Sequence, residues 1–402
     1  MQKTHTIMGQ HERPSTSKLD VEPPGAVSDG HRLRVLALEP YFVISHRAFV
    51  EGYARLSRHE VVTWSLPGRK WKWRMRGSAF HFTELARSLG DQAPPDVVLA
   101  SDFMNLADWH ALAPRRFRDA PSVLYFHENQ ITYPLGAEAP RDHHYGWINL
   151  SSALAADLVL FNSSYHKEAF FAEAARVLER MPDFVPPGIL ESLRSRSDVF
   201  PVGVDFTPHR AVLAEPRRSG SEPTVVWNHR WEYDKGPELM ADVLSRLRAD
   251  GCRFRAVICG QSFERTPPVF AELESRLGQS LEHLGFFPEH RDYLRALRDA
   301  DIVLSTARHE FFGVAVVEAL YMGALPVLPR ALSYPEIVPS ELHAKFLYDG
   351  PDGLEKQLRQ VLASPPFEHR AELQRAASRF DWRELAPRLD HILDDVYRRG
   401  RR

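Results

Sequence analysis

Short apolar runs recur along this chain, and longer amphipathic stretches separate them. Leu33–Leu38, Val61–Leu66, Asp96–Ser101, Ser122–Phe126 and Leu158–Asn162 form one set. Val225–Asn228, Arg255–Cys259, Leu281–Gly285, Ile302–Ser305 and Ala324–Leu328 form a second. Runs this apolar suit strands buried on both faces, as in parallel sheets covered by helices. Strand alternating with helix predicts an α/β fold with doubly wound parallel sheets. At 402 residues the chain is too long for one hydrophobic core and sufficient for two.

Composition places the boundaries. Residues 1–30 are polar, carry several prolines and show no periodicity, which predicts a disordered extension. The first domain is expected over 31–205, with Val199–Val204 as its last strand. Residues 206–223 are rich in Pro, Arg, Ser and Gly and read as the interdomain linker. The second domain is expected over 224–379, and 380–402 reads as a terminal helix. The chain has no apolar run of about 18 residues, so no membrane span is expected, and its start lacks the apolar core of a secretion signal. Two cysteines, Cys252 and Cys259, cannot build a disulfide framework and read as small buried residues. A cytoplasmic protein is the expectation. The formal net charge of −2 gives no global attraction for a polyanion, so such a partner needs a local patch.

The stretch Asp301–Gly323 concentrates the chemistry. An apolar run ends at Ser305, a charged turn follows, and an apolar helix begins near Gly313. A helix start presents unbonded N–H groups and the positive end of the dipole, which suits phosphate. Glu310 stands before this helix and Glu318 on it, eight residues apart. Glu318 sits between Val317 and Ala319, where an unpaired buried charge costs several kcal/mol. The pattern suits a ligand with phosphate in the middle and hydroxyl-rich rings at both ends. Glu310 would take a sugar and Glu318 the ribose of a nucleotide.

Three further stretches follow strands. His229–Gly236 carries Arg230 and Lys235, a possible diphosphate clamp, against the bland alternative of a loop paired internally through Glu232 and Asp234. His127–Pro134 places His127, Glu128, Asn129, Gln130 and Tyr133 at a strand end, as a substrate-facing loop would. It is not a zinc helix, because no second His stands four residues after His127. Pro67–Arg76 carries Arg69, Lys70, Lys72, Arg74 and Arg76 with no acid, interleaved with Trp71 and Trp73. Cations hold phosphates and aromatic rings stack on bases, a combination suited to RNA loops.

Glu310 and Glu318 resemble the paired glutamates of the retaining family 4 glycosyltransferases, which have the GT-B fold: two facing Rossmann-like domains, an interdomain cleft, and a C-terminal helix crossing back. That resemblance implies a donor site of Arg230, Lys235, Glu310, Phe311, Phe312, Gly313, Val314 and Glu318, with His127 near the reacting carbon. The Ser45–His46 turn, Lys70–Arg74, His127–Gln130 with Tyr133-Pro134, Asp142 with Tyr145-Gly146, and Asn228–Trp231 resemble the tRNA-queuosine α-mannosyltransferases. This implies mannosyl transfer from GDP-mannose to queuosine in the aspartate tRNA anticodon, with retention and without a metal. Ser45, His46, Lys70, Trp71, Lys72, Trp73, Arg74, Glu128, Asn129, Gln130 and Tyr133 would then face the acceptor. Two alternatives stay open at this point: a lipid or small-glycan acceptor, and a nucleotide-sugar epimerase of the same fold. The chain departs from the family pattern at Val43-Ile44, where Gly-Gly often precedes Ser-His.

Overall fold

The computed structural model describes residues 31–400, except 91–92, 134–141, 219, 221 and 263–265. The expected extension over 1–30 lies outside the described residues, as do Pro134 and the last two arginines.

The first set of apolar runs forms six strands: β1 (Arg34–Phe42), β2 (Glu60–Pro67), β3 (Val97–Ser101), β4 (Ser122–Phe126), β5 (Leu158–Phe161) and β6 (Ser197–Val199). They make one parallel sheet in the order β2-β1-β3-β4-β5-β6. The second set forms β7 (Thr224–Trp227), β8 (Arg255–Cys259), β9 (Leu281–Gly285), β10 (Ile302–Leu304), β11 (Leu325–Pro329) and β12 (Leu347–Tyr348). They pair in parallel in the order β12-β11-β10-β7-β8-β9. Central strands are buried at nearly every position, because helices cover both faces.

Each sheet reverses its winding once, between β1 and β3 in the first and between β7 and β10 in the second. Loops that leave neighbouring strands in opposite directions open a crevice at such a point. The topology therefore gathers the loops after β1 and β3 into one crevice and those after β7 and β10 into another.

The helix Trp382–Gly400 returns to the first sheet. Its Trp382 is 1% exposed and lies in a slot with glycine walls. A Cβ on Gly52 or Gly203 would stand 2.2 or 2.3 Å from the indole. Asp390 of this helix accepts hydrogen bonds from the Tyr53 hydroxyl at 2.8 Å and the Arg58 amide at 3.0 Å.

Several expected boundaries shift. Thr207–Leu213 is a helix inside the expected linker, with Pro208 in its first turn, where the missing N–H costs nothing. The last strand of the first sheet is Ser197–Val199 rather than Val199–Val204; Val204 instead bridges Asp381. The helix Trp71–Ser88 starts inside the basic stretch Pro67–Arg76, so Trp71 and Trp73 are both helical. The helix Ile44–Leu56 takes in both residues of the Ser45–His46 turn, and its N-cap Val43 makes no side-chain hydrogen bond. Among the described residues no helix is long and apolar enough to cross a membrane.

Candidate active site

The second crevice holds both predicted glutamates. The loop after β10 turns into the helix Val314–Tyr321 at Gly313, whose φ of 98° is a conformation glycine adopts at little cost. The loop after β7 passes close by: a Cβ on Gly236 would stand 2.2 Å from the Thr306 carbonyl. This approach seats Lys235 against Glu310. The ammonium donates to Glu310 Oε2 at 3.2 Å and to the His309 carbonyl at 2.8 Å, and pairs with Asp234 at 3.1 Å. Burial pushes Glu310 up toward the neutral acid, but Lys235, with His229 and Arg230, pulls it down to about 2. Burial and Lys235 also lower His229 and His309 to about 4, so both rings are neutral at physiological pH. Glu310 is thus a fixed carboxylate that only accepts hydrogen bonds, as recognition of sugar hydroxyls requires.

Arg230 is the more available cation. Its side chain is 47% exposed and pairs with Glu232 at 3.0 Å. Both cations of this loop are therefore paired inside the protein, and a diphosphate must displace or join those pairs. Glu318 accepts from the Tyr293 hydroxyl at 2.9 Å, and Asn228 Nδ2 donates to that hydroxyl at 3.1 Å. Burial and the Glu318 charge raise Tyr293 well above its usual range, keeping it a donor. Phe311 and Phe312 do not offer their rings to the crevice. Phe311 stacks on His166 at 3.8 Å and Phe312 stands edge-on to Phe380 at 5.1 Å. Their carbonyls accept from Ser163 and Ser333, which fixes the path of the main chain beside Glu310, and Val314 opens the helix, half-buried.

The first crevice is organised by Glu39, which sequence reasoning did not single out. It is fully buried near the end of β1 and accepts from the Tyr41 amide at 2.9 Å, the Ser101 hydroxyl at 3.0 Å and His46 Nδ1 at 3.1 Å. Burial lowers His46, but Glu39 outweighs it and raises the imidazole to about 9, so His46 carries a proton at neutral pH. The His127 ring lies 4.0 Å away, and burial together with this charge holds it neutral, well below its usual range. Asp102 Oδ1 accepts from the His127 amide at 2.9 Å and anchors that loop. Glu39, His46 and His127 also present an oxygen and two ring nitrogens within 4.8 Å of one another. They are the only group among the described residues with spacing suited to a metal ion, although the Glu39–His46 hydrogen bond already closes one side of it.

Asn129 is wholly buried, and its amide holds Thr132 in a turn, so it shapes the loop rather than facing the crevice. Gln130 donates to Glu128 at 3.0 Å, and burial raises the Glu128 carboxyl. Tyr133 meets His309, on the loop after β10, edge-to-face at 5.2 Å. Burial opposes the charge on Arg230, while Tyr133, Glu232 and Glu128 favour it, so its pKa rises overall. The two crevices thus meet across Tyr133, Glu128 and Arg230.

An aromatic floor leads outward from His46. Phe103 lies 5.4 Å from His46 and stacks on Tyr41 at 4.6 Å. Phe103, Met75, Tyr145 and Ile148 form one cluster with Tyr41 and Trp71 packed against it. Trp71 lies 4.9 Å from Tyr145, and Lys72 reaches over both rings at 5.7 Å. Trp73 sits apart. It is 58% exposed, packed on Gly77, and cannot clamp one base together with Trp71 because side chains two positions apart on a helix diverge. Lys70 precedes the helix at φ 56°, and Arg74 donates to the Pro67 carbonyl at 3.1 Å. Ser45 is exposed on the first turn of its helix. The Val43-Ile44 departure is accommodated locally: Val43 packs where a Cβ on Gly68 would stand, at 2.1 Å, and Ile44 is 73% exposed.

Residues 34–204 match a family model described as tRNA-queuosine alpha-mannosyltransferase N-terminal, and 211–380 match glycosyl transferases group 1. The Drosophila melanogaster tRNA-queuosine alpha-mannosyltransferase is 36% identical over 384 residues, 90% of this chain and 98% of that protein. The chain belongs to the tRNA-queuosine alpha-mannosyltransferase family. It is accordingly a hexosyltransferase with the GT-B fold. A Mycobacterium tuberculosis GDP-mannose-dependent phosphatidylinositol dimannoside mannosyltransferase is 28% identical over 193 residues, 46% of this chain and 49% of that one. Among solved structures, the Thermosynechococcus elongatus sucrose-phosphate synthase superposes with a TM-score of 0.68 at 15% identity, covering 92% of this chain and 100% of that one. Anabaena HepE in complex with UDP superposes at 0.62 and 17% identity, covering 90% and 100%. At these identities the two structures speak to the fold alone.

Proposed function

We propose that this enzyme transfers mannose from GDP-mannose to the cyclopentenediol of queuosine at the wobble position of aspartate tRNA, with retention. The observation that carries the proposal is the meeting of the two crevices. Glu310, an obligate hydrogen-bond acceptor, stands in one, and the His46–His127 pair at the head of an aromatic, basic-rimmed floor stands in the other. In this reading Glu310 takes donor hydroxyls, Glu318 the ribose, and Arg230 exchanges Glu232 for the leaving diphosphate, with Lys235 and the Gly313 helix start behind it. The acceptor hydroxyl attacks the anomeric carbon on the face the diphosphate leaves. The carbon–oxygen bond to phosphate breaks as the new one forms, and the acceptor proton passes to the departing phosphate oxygen. No step calls on a metal. Lys70, Lys72 and Arg76 would hold anticodon-loop phosphates, with Trp71 and Tyr145 meeting an unstacked base. We propose a cytoplasmic enzyme, a reading that the tRNA acceptor supports.

The test is Glu310→Ala. Hexose addition to queuosine is expected to vanish while the variant still binds the tRNA. Full transfer by this variant would overturn the assignment of Glu310.

A further inference from the structure

The helix Thr207–Leu213 lies between the two sheets in the chain and would be expected to act only as a connector. It carries a buried histidine that the mechanism above does not use. His209 is 1% exposed, and neither ring nitrogen makes a hydrogen bond. Its Nε2 points at the donor crevice and stands 3.4 Å from Glu318 Oε1. Tyr293 occupies the other carboxylate oxygen, Oε2, at 2.9 Å. The helix is held in register at its N-cap and midway along it. Phe206 stacks on Tyr321 at 3.7 Å, and Arg210 pairs with Asp381 at 2.7 Å. An imidazole buried without a partner costs free energy, so its placement against one carboxylate oxygen calls for an account.

We infer that His209 is a positioning residue for nucleotide binding: its Nε2, 3.4 Å from Glu318 Oε1, closes a hydrogen bond onto that oxygen when nucleotide binds, from the side opposite Tyr293, so that the carboxylate meets both ribose hydroxyls. The inference rests on the assignment of the ribose to Glu318. A carboxylate oxygen has lone pairs to spare, so one donor on each oxygen fixes the plane of the group and leaves acceptor sites for two hydroxyls. Held by Tyr293 alone, Glu318 would rotate about its last bond. The connecting segment thereby supplies part of the nucleotide site.

The experiment compares GDP with 2′,3′-dideoxy-GDP by calorimetry on the full chain. Wild type is expected to prefer GDP by about tenfold or more, the scale of hydrogen bonds to a charged group. His209→Phe should weaken GDP by a similar factor, leave dideoxy-GDP unchanged, and so collapse the preference. His209→Gln, whose amide nitrogen reaches about as far as Nε2, should restore most of it. A preference kept intact in His209→Phe overturns the inference. No preference in wild type overturns the ribose assignment instead. Should His209→Phe not fold, His209→Asn replaces it, being polar but too short to reach Oε1, and the same collapse is expected.

Discussion

Replacing Lys235 by methionine tests what keeps Glu310 ionised. The ammonium lies 3.2 Å from Glu310 and 3.1 Å from Asp234, in a site where the Lys235 side chain is 7% exposed. Glu310 falls from an ordinary 4.5 to about 2, against the pull of its own burial. At 1.36 kcal/mol per pK unit, that is about 3 kcal/mol of preference for the carboxylate. Glu310 is 20% exposed, so solvent screens this only modestly. A folded pKa below the unfolded one adds stability that is fully present above the unfolded value of about 4.5 and is lost as pH falls toward 2. Without the ammonium, burial meets only Arg230 and His229, so the folded pKa moves up and less of this stability remains at neutral pH. Breaking a buried pair from one side costs about 3–5 kcal/mol. Thermal melts should therefore show Lys235→Met furthest below wild type at neutral pH and closer to it near the unfolded pKa. The acid limb of the kcat/KM profile of the residual activity should lie at higher pH than in wild type. A constant gap between the melting curves at both pH values, with superposable rate profiles, would refute the reasoning, because Lys235 would not then be what holds the charge.

Trp71→Ala is expected to raise KM for tRNA about tenfold or more, the scale of one base stack, with kcat and the KM for GDP-mannose little changed; a rise confined to the donor KM would place Trp71 elsewhere. Charge reversal of Lys72 should flatten the dependence of tRNA affinity on salt, read from a titration between low and physiological ionic strength. Trp382→Ala empties the slot beside Gly52 and Gly203 and should cost about 3–5 kcal/mol, measured by denaturant unfolding.

The sheets were legible because a doubly buried parallel strand needs apolar residues at almost every position, and few other structures do. The glutamates were legible because Glu318 interrupts an apolar helix with a charge. Glu39 was not. Its role depends on Ser101, 62 residues away, which reaches it only because β1 pairs with β3. The helix start at Trp71 gave no signal either, because Lys70 supplies no side-chain cap and adopts a left-handed conformation unusual for its type. Phe311 and Phe312 fit a donor loop by pattern, yet whether a ring faces the ligand or the neighbouring domain is settled by tertiary packing, and here His166 and Phe380 take them. Asn129 was read as facing substrate for want of its local partner; an Asn three residues before a Thr can equally close a turn on it. Proline, arginine and serine across 206–223 hid a short helix whose Thr-Pro start was present in the sequence.

The most direct measurement gives purified protein GDP-mannose and queuosine-containing aspartate tRNA, then weighs the digested nucleosides by mass spectrometry. The account predicts one hexose on queuosine, none on tRNA that lacks queuosine, and none with Glu310→Ala. Unmodified queuosine, under conditions where the protein binds both GDP-mannose and the tRNA, would contradict it.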